Sequence, residues 1–139
     1  MADRISPEHR SWNMSRIRGK DTGPELSLRS LLHRAGFRYR LHDTTLPGKP
    51  DLVFPRYRTG IFVHGCYWHR HSGCKYAATP RTRTDFWLAK FQGTVERDRR
   101  TAEALTQRGW RVITVWECEL KRDPAGVVFE IRRQLEETL

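Results

Sequence analysis

The sequence predicts an α/β fold in which helices flank a mixed β-sheet. Three short apolar segments, 37–43, 51–55 and 60–65, follow one another with short connections, which favours an antiparallel run of strands. A fourth apolar segment, 110–116, comes after a long helical pattern, as a crossover to a parallel position requires. No repeat, low-complexity tract or linker divides residues 1–139, so we expect a single domain.

Two helices are predicted ahead of these strands. Ser6 followed by Pro7 is typical of a helix N-terminus and opens the first helix, over SPEHRSWNMSRI. Asp21 or Thr22 is expected to cap the second helix, and Gly36 to stop it. The apolar residues of the second helix share one face: Leu28, Leu31, Leu32 and Ala35.

Two further helices are predicted around the fourth segment. Thr84 is expected to cap a long helix that ends at Gly109, with Gly93 weakening its middle by about 1 kcal/mol. Its apolar residues lie roughly along one face: Leu88, Phe91, Val95, Ala102 and Leu105. The β-branched content of 110–116 predicts a buried strand. Asp123 and Pro124 then start an amphipathic helix with apolar positions Val127, Val128, Ile131, Leu135 and Leu139.

The charge of the chain predicts a polyanionic partner. Lysine and arginine number 26 against 16 acidic residues, which gives a net charge of +10, and arginine is the commoner cation. Arginine binds phosphates and base edges with two parallel hydrogen bonds, so nucleic acid is the expected partner. The alternative is a basic protein that is merely soluble. The clustering of basic residues around aromatic residues favours the nucleic acid.

The sequence also indicates a cellular compartment. No apolar run approaches the roughly 18 residues needed to cross a bilayer, and MADRISPEHR has no apolar stretch that could serve as a signal peptide. We therefore expect an intracellular protein. Disulfides are disfavoured in that reducing setting, so the three cysteines need another interpretation.

The cysteines predict a structural zinc site. Cys66, His71 and Cys74 are spaced C-x4-H-x2-C, and Cys118 follows the fourth strand. Zinc prefers sulfur and imidazole ligands, and sites with three cysteines and one histidine are usually structural. If the third and fourth strands are neighbours, Cys66 and Cys118 come to adjacent strand ends. The alternative is three buried free thiols that act as small apolar side chains.

An acidic residue and a histidine are predicted at adjacent strands. Asp51 follows Pro50 at the head of one strand, and His64 lies near the end of the next. This resembles the Pro-Asp…(Asp/Glu)-x-Lys arrangement of restriction-enzyme-like nucleases, with Phe62 at the second acidic position and His64 at the lysine position. Phosphodiester cleavage needs a hard cation and a group that activates water. Alternatively, Asp51 is only a turn residue.

An ordered set of motifs resembles one family, the very short patch repair (Vsr-type) DNA mismatch endonucleases. The motifs are KDTGPE, LPGKPDLVF, IFVHGCYWHRH, TRTDFWLAKF, GTVERDRR and GWRVITVWEC, and the resemblance runs from about Ser11 to Cys118. It implies a restriction-endonuclease-like fold with a structural zinc. It also implies Mg²⁺-dependent nicking 5′ to the thymine of a T:G mismatch, which arises when 5-methylcytosine deaminates. The nick leaves a 3′-hydroxyl and a 5′-phosphate.

The resemblance also implies roles for single residues. Asp51 matches a metal-binding carboxylate and His69 a general base, whereas His64 supports the scissile phosphate or a metal-bound water. Glu25 matches an acidic residue that reaches the site from the second helix, and Val63 stands where a backbone carbonyl coordinates the magnesium. As alternatives, both histidines are extra zinc ligands, and Glu25 is an acid favoured by the helix dipole.

Asp98 and the zinc loop leave two further choices open. Asp98 is a candidate to orient His69, but a solvated helix face explains an acid there almost as well. The loop before Cys74 is one residue longer than is common in the family, so His69 is an alternative zinc ligand. We assign His71 to the zinc, because His69 is better placed for chemistry.

Aromatic residues complete the resemblance. Tyr67, Trp68 and Trp87 match a family trio that inserts between base pairs beside the mismatch, although position 67 is usually phenylalanine in the family. Unstacking costs a few kcal/mol, and a weak T:G pair lowers that cost. Ordinary core aromatics are the alternative, and we interpret Trp110 and Trp116 in that way.

Two other functions compete with a nicking enzyme. A zinc-stabilised DNA-binding module without catalysis would have no use for an acid near a phosphate. A zinc deaminase would need an H-x-E…P-C-x-x-C pattern, which the sequence lacks. We expect a monomer that binds duplex DNA containing a T:G mismatch, with other repair proteins as further candidate partners. The sequence does not give the base context of the mismatch.

Overall fold

A computed structural model describes residues 22–75 and 77–138. The elements are α1 (Gly23–Arg34), β1 (Arg40–Leu41), β2 (Leu52–Phe54), β3 (Thr59–His64), α2 (Thr84–Gln107), β4 (Arg111–Trp116), α3 (Glu117–Arg122) and α4 (Pro124–Thr138). A single 3₁₀ turn, Pro55–Tyr57, joins β2 to β3. The helix predicted over SPEHRSWNMSRI lies outside the described residues, as do Asp21 and Leu139.

The four strands form one mixed sheet in the order β1-β2-β3-β4. β1 pairs with β2 and β2 with β3 in antiparallel fashion, whereas β3 and β4 are parallel, with Ile61 opposite Ile113 and His64 opposite Trp116. The long helix α2 supplies the crossover that a parallel pair needs. The predicted mixed sheet with flanking helices is therefore confirmed.

The two faces of the sheet have different chemistry because successive side chains of a strand point to opposite faces. One face packs against α1, α3 and α4 and forms the apolar core. The buried residues of this core are Leu28, Leu32, Leu52, Phe54, Ile61, Ile113, Val115, Leu120, Ile131 and Leu135. The other face carries Phe62, His64, Val112 and Thr114 towards α2, where they line a polar cavity.

The helix α1 follows the prediction closely. The Thr22 hydroxyl caps it by accepting a hydrogen bond from the Glu25 N–H at 3.4 Å. Leu28 and Leu32 are fully buried in the core. The helix ends before Gly36, whose φ of +97° is left-handed and strains any residue with a Cβ.

The helix α2 corrects two predictions. Thr84 is not its cap, because Arg83 holds that position and the Thr84 hydroxyl donates to the carbonyls of Pro80 and Arg81 instead. Leu88 and Val95 are 48% and 46% exposed, although they were predicted to share the buried face. No residue of α2 belongs to the buried apolar core among the described residues, and its segment 97–102 lines the polar cavity instead.

The edges of the sheet also differ from the prediction. The segment 37–43 forms only the two-residue strand β1. β4 is an edge strand in which Ile113 and Val115 are buried and Thr114 is exposed, so it is not buried throughout. The short helix α3, which the sequence did not predict, follows it directly and places Cys118 one turn beyond the strand. No helix within 22–75 and 77–138 is long and apolar enough to cross a membrane.

Candidate active site and metal centre

A cavity of about 250 Å³ lies between the sheet and α2. Its wall includes Asp51 from the head of β2, Val63 and His64 from the end of β3, His69 from the following loop, and Asp98 from α2. The fold therefore brings residues that are distant in the sequence to one cavity.

Close packing fixes the segment that leads into Asp51. A Cβ on Gly48, which has a φ of +72°, would come within 2.2 Å of the Thr101 side chain on α2. A Cβ on Gly60 would stand 3.0 Å from the ring of Pro50. These contacts hold the loop between α2 and β3, so Asp51 enters the cavity from a rigid position.

Asp51 is held at the cavity by β3. Its Oδ2 accepts a hydrogen bond from the Val63 N–H at 2.7 Å. Burial, together with the nearby Glu25 carboxylate, raises the pKa of Asp51 to about 7. An acid with such a pKa needs a cation to become fully ionised at neutral pH, which is the property expected of a metal-binding carboxylate.

Glu25 lies beside Asp51 and is held by two basic side chains. The carboxylate is 1% exposed, pairs with Arg29 one turn along α1, and lies 2.8 Å from the Nε2 atom of His42. The ligand atoms of Glu25, His42 and Asp51 all lie within 4.8 Å of one another. His42 was not predicted as a site residue, because only the pairing of β1 with β2 brings it to Glu25. In the sequence, its position a few residues before the PGKPD motif was the one indication that His42 lies near the site.

Two histidines and one aspartate form the opposite wall of the cavity. The rings of His64 and His69 are stacked, with centroids 3.8 Å apart and an interplanar angle of 3°. Burial, and then the neighbouring His69, lower the pKa of His64 to about 4, so this ring stays neutral at physiological pH. The stacked pair therefore consists of the buried ring of His64 and the more exposed ring of His69.

Asp98 orients His69. The Nδ1 atom of His69 lies 2.6 Å from the Asp98 carboxylate. An ionised carboxylate can only accept a hydrogen bond, so Nδ1 carries the hydrogen and Nε2 of the neutral ring is left as a base. Of the two interpretations of Asp98, the structure favours the orienting one.

Two cationic residues on the cavity wall were not predicted. Lys49 comes from the loop before Asp51, and Arg97 lies next to Asp98 on α2. Their charges suit a phosphate group, which carries negative charge on its non-bridging oxygens. Lys49 belongs to the quoted LPGKPDLVF motif and Arg97 to GTVERDRR, so position within a motif was the available signal.

A second cluster of side chains could hold a metal ion. The ligand atoms of Cys66, His71, Cys74 and Cys118 all lie within 4.8 Å of one another. The Nδ1 atom of His71 is 3.7 Å from the Cys66 sulfur and 3.3 Å from the Cys118 sulfur. The structure thus brings together the four residues that the sequence predicted, and His71 is the histidine among them.

Trp116 separates the two clusters. Its ring stacks on His71 with centroids 4.3 Å apart, and its edge meets His64 at 5.3 Å. The interpretation of Trp116 as a core residue is wrong, because β4 is an edge strand and the indole is half-buried between the two imidazoles. Trp116 therefore contacts one histidine of each cluster.

The three predicted aromatic residues gather around a fourth ring, that of the buried Phe91. Phe91 lies 5.2 Å from Tyr67, 6.1 Å from Trp68 and 6.0 Å from Trp87, measured between ring centroids. Trp68 and Trp87 are 6.0 Å apart. All three outer rings are half-buried, so they are partly packed and partly open to a partner. Arg70, which was not predicted, covers the other side of Phe91 at 4.0 Å.

Several known proteins are similar to this chain over most of its length. The family model described as DNA mismatch endonuclease Vsr matches residues 2–75. The type II nicking enzyme V.XorIIP of Xanthomonas oryzae pv. oryzae is 51% identical over 120 residues, which are 86% of this chain and 88% of that enzyme. The DNA mismatch endonuclease Vsr of Escherichia coli K12 is 49% identical over 121 residues, 87% of this chain and 77% of that enzyme.

A third relative extends the match. The type II nicking enzyme V.NmeAIP of Neisseria meningitidis is 45% identical over 121 residues, which cover 87% of this chain and 86% of that enzyme. The family model spans more than half of the chain, and these three relatives are matched over most of their lengths. On this evidence the chain belongs to the family of DNA mismatch endonucleases of the Vsr type.

Proposed function

We propose that this chain, a DNA mismatch endonuclease by its family, nicks one strand of duplex DNA 5′ to the thymine of a T:G mismatch. The reaction is a Mg²⁺-dependent phosphodiester hydrolysis that starts very short patch repair. The observation that carries the proposal is the single cavity in which Asp51 and the Asp98-oriented His69 meet. The names of the relatives, mismatch endonuclease and nicking enzyme, support both the substrate class and the reaction.

The finer fold assignment is part of the proposal. We assign the sheet to the restriction-endonuclease-like class. Asp51 at the head of β2 and His64 at the end of the adjacent β3 occupy the positions of that class's catalytic strand pair. Phe62 lines the cavity where the class has its second acid. Glu25, which reaches Asp51 from α1, supplies the missing carboxylate.

We assign the cluster of cysteines and His71 to a structural zinc ion. Zinc bonds of about 2.3 Å to sulfur and 2.0–2.1 Å to nitrogen separate the two ligand atoms of a tetrahedral site by about 3.6 Å. The separations of 3.7 Å and 3.3 Å from the His71 nitrogen fit that geometry. A donor set of three sulfurs and one nitrogen leaves no position open for a substrate, so the ion would hold the loop and take no part in the reaction.

Magnesium fits the other cluster. Carboxylate and carbonyl oxygens are the ligands that this hard cation prefers, so Asp51 and the backbone carbonyl of Val63 would hold it, with Glu25 close by. When bound, magnesium supplies charge neutralisation at the scissile phosphate. The raised pKa of Asp51 is consistent with this role, because a divalent cation would stabilise the ionised form.

The proton transfer belongs to His69. The free Nε2 atom of the neutral ring takes a proton from the water that attacks phosphorus, while Asp98 stabilises the imidazolium that forms. His64 stays neutral and donates a hydrogen bond from its ring N–H to a phosphate oxygen without adding a charge. The bond from phosphorus to the 3′-oxygen breaks, which leaves the 3′-hydroxyl and the 5′-phosphate.

The aromatic rings provide recognition. Tyr67, Trp68 and Trp87 insert beside the mismatch, and the weaker stacking and pairing of T:G reduces the free energy that insertion requires. Tyr67 and Trp68 lie in the loop that the zinc site would hold through Cys66 and His71. Metal binding and mismatch recognition are therefore mechanically connected in this proposal.

Substitution of Asp51 by asparagine tests the proposal. We expect Asp51→Asn to lower the nicking rate of a T:G duplex at least about 1000-fold, since a metal site supplies several kcal/mol to the transition state. Binding of the duplex in a gel-shift assay should persist. Glu136→Gln, which removes an exposed carboxylate from α4, is the matched control and should nick normally.

The assay should include all mismatches in several flanking sequences, with and without Mg²⁺. Equal nicking by Asp51→Asn and the unmodified protein would remove Asp51 from the mechanism. Binding without nicking of any substrate by the unmodified protein would favour the alternative, a DNA-binding module. Nicking of other mismatches as fast as T:G would contradict the proposed specificity.

A further inference from the structure

We propose that Arg70 is a positioning residue that locks the three intercalating rings in place for insertion. The inference rests on the proposed function, because it concerns how the same aromatic residues are held. Arg70 lies in the chain between the proposed general base His69 and the proposed zinc ligand His71. Its side chain joins two stretches of backbone.

The guanidinium group of Arg70 makes four hydrogen bonds. Nη1 donates to the backbone carbonyls of Tyr67 and Ala78, both at 3.1 Å. Nη2 donates to the carbonyl of Ala77 at 2.6 Å and to the Thr79 hydroxyl at 3.0 Å. One planar group therefore ties the loop that carries Tyr67 and Trp68 to residues 77–79, which lead into α2.

The same group completes the aromatic cluster. Its central carbon lies 4.0 Å from the centroid of the Phe91 ring and 5.6 Å from that of Tyr67. Phe91 is 3% exposed and contacts all three proposed intercalating rings. Arg70 thus contacts the ring on which Tyr67, Trp68 and Trp87 rest, and holds it in place.

The backbone of Arg70 supports this assignment. Its φ is +54°, a left-handed conformation that is unfavourable for a residue with a Cβ. Such a conformation persists only where surrounding contacts impose it. Here the four hydrogen bonds and the contact with Phe91 are those contacts, so the side chain holds the turn of the loop.

A lock of this kind lowers the free-energy cost of recognition. Rings that are already fixed lose less side-chain and loop entropy when they enter a base stack. Lysine cannot replace Arg70, because a single ammonium group cannot reach four acceptors arranged in one plane. The lock acts on binding and insertion, and Asp51, His64 and His69 carry out the chemistry on the other side of the loop.

Arg70→Lys is the main test, with Arg56→Lys as the control. Arg56 is an exposed arginine in the 3₁₀ turn at the opposite end of β3. Both variants keep the positive charge and replace a guanidinium group with an ammonium group. We expect Arg70→Lys to raise KM for the T:G duplex about tenfold, with kcat within about twofold of the unmodified protein. Fluorescence of 2-aminopurine placed beside the mismatch should show less unstacking at equal occupancy. Arg56→Lys should match the unmodified protein.

Thr79→Val provides a second, milder variant. It removes one of the four acceptors and leaves the charge in place, so KM should rise about twofold to threefold in the same direction. Bound metal and the thermal melting curve are measured for each variant. They show whether a KM change comes from the rings or from loss of the fold.

Three outcomes separate the inference from the proposed function. An unmodified protein that neither nicks a T:G duplex nor unstacks 2-aminopurine would contradict the proposed function itself. A fully active unmodified protein with Arg70→Lys and Thr79→Val at the same KM would overturn the role of Arg70. A fall in kcat alone, with KM unchanged, would also overturn it, because it would place the residue in the chemistry.

Discussion

The two clusters of metal-binding side chains in this protein are built in opposite ways. Cys66, His71, Cys74 and Cys118 bring three sulfur atoms and one imidazole to a cluster whose ligand atoms lie within 4.8 Å of one another. The cavity that holds Asp51 has acids that already interact with protein groups, since Glu25 pairs with Arg29 and lies beside His42. The first cluster offers four ligand atoms to one metal ion, whereas an acid of the second cluster is already paired with basic groups of the protein.

The two clusters also differ in how burial affects the ionisation of their ligand groups. Burial raises the pKa of Cys66 to about 12, so a thiolate at that site depends on a bound cation. Metal binding, deprotonation of the cysteine and folding are then coupled to one another. Around Asp51 the acid holds a proton near neutral pH, and its neighbours compensate the charge of Glu25. Such a site can gain and lose a cation without losing the fold.

The largest expected effect that separates the two clusters comes from His69. His69→Ala removes the proposed base, so kcat for nicking a T:G duplex should fall by about 10² to 10⁴. Zinc content should stay at the proposed one ion per chain, because His71 is the histidine that we assign to the zinc. Rapid-quench nicking and elemental analysis on the same sample would measure both properties.

The opposite pattern would reverse the assignment of the two histidines. If His69→Ala lost zinc and His71→Ala kept it, His69 would be the zinc ligand, the alternative that the longer loop allows. Asp98→Asn is the companion variant. It keeps the hydrogen bond but can hold the wrong tautomer, so it should lower kcat and leave zinc unchanged.

A smaller but still large effect is expected at the metal centre. Cys118→Ser removes the ligand that α3 contributes, and the affinity for zinc should fall more than about 100-fold. The melting temperature should fall together with the zinc affinity, because the site links the loop that carries Cys66 and Cys74 to α3. Calorimetry with and without a chelator measures both changes. A variant that keeps its metal and its melting temperature would exclude Cys118 from the cluster.

The sequence predicted the parts of this comparison that depend on local chemistry. Thr22 was expected as a cap and became one, because an N-cap depends on a few consecutive residues. The four cysteine and histidine ligands were expected because their chemistry allows few other uses in a reducing cell. Asp51 was expected because an acid that follows a proline at the head of a strand matches the Pro-Asp part of a nuclease motif.

Other features could not be predicted because they depend on which surfaces meet. Periodicity placed Leu88 and Val95 on the face of Phe91, but it could not indicate that α2 covers a polar cavity. His42 reaches Glu25 only through the pairing of β1 with β2. Arg70 lies in a histidine-rich loop and offers no pattern of its own, since its acceptors are backbone carbonyls.

The third effect is smaller and concerns pH. Burial raises the pKa of Asp51 to about 7, whereas an unfolded chain has an aspartate pKa of about 3.9. In the metal-free protein the raised pKa stabilises the fold fully below about pH 4, and that contribution is lost as the pH rises through about 7. Magnesium binds the ionised carboxylate, so its stabilising effect should grow over the same interval.

We therefore expect the Mg²⁺ concentration for half-maximal stabilisation to fall about tenfold between pH 6 and pH 8, with most of that fall below pH 7, and to level off above pH 8. Melting temperature, measured across a Mg²⁺ titration at each pH, is the suitable readout because the rate of nicking also depends on the protonation of His69. Glu25→Gln removes the neighbouring negative charge that helps to raise the pKa of Asp51 and should move the curve to lower pH. An Mg²⁺ response that is equal at pH 6 and pH 8 would mean that Asp51 is already ionised in the metal-free fold. The ionised carboxylate would then be present without its cation, whereas a thiolate at Cys66 would still depend on one, and that difference would separate the two sites.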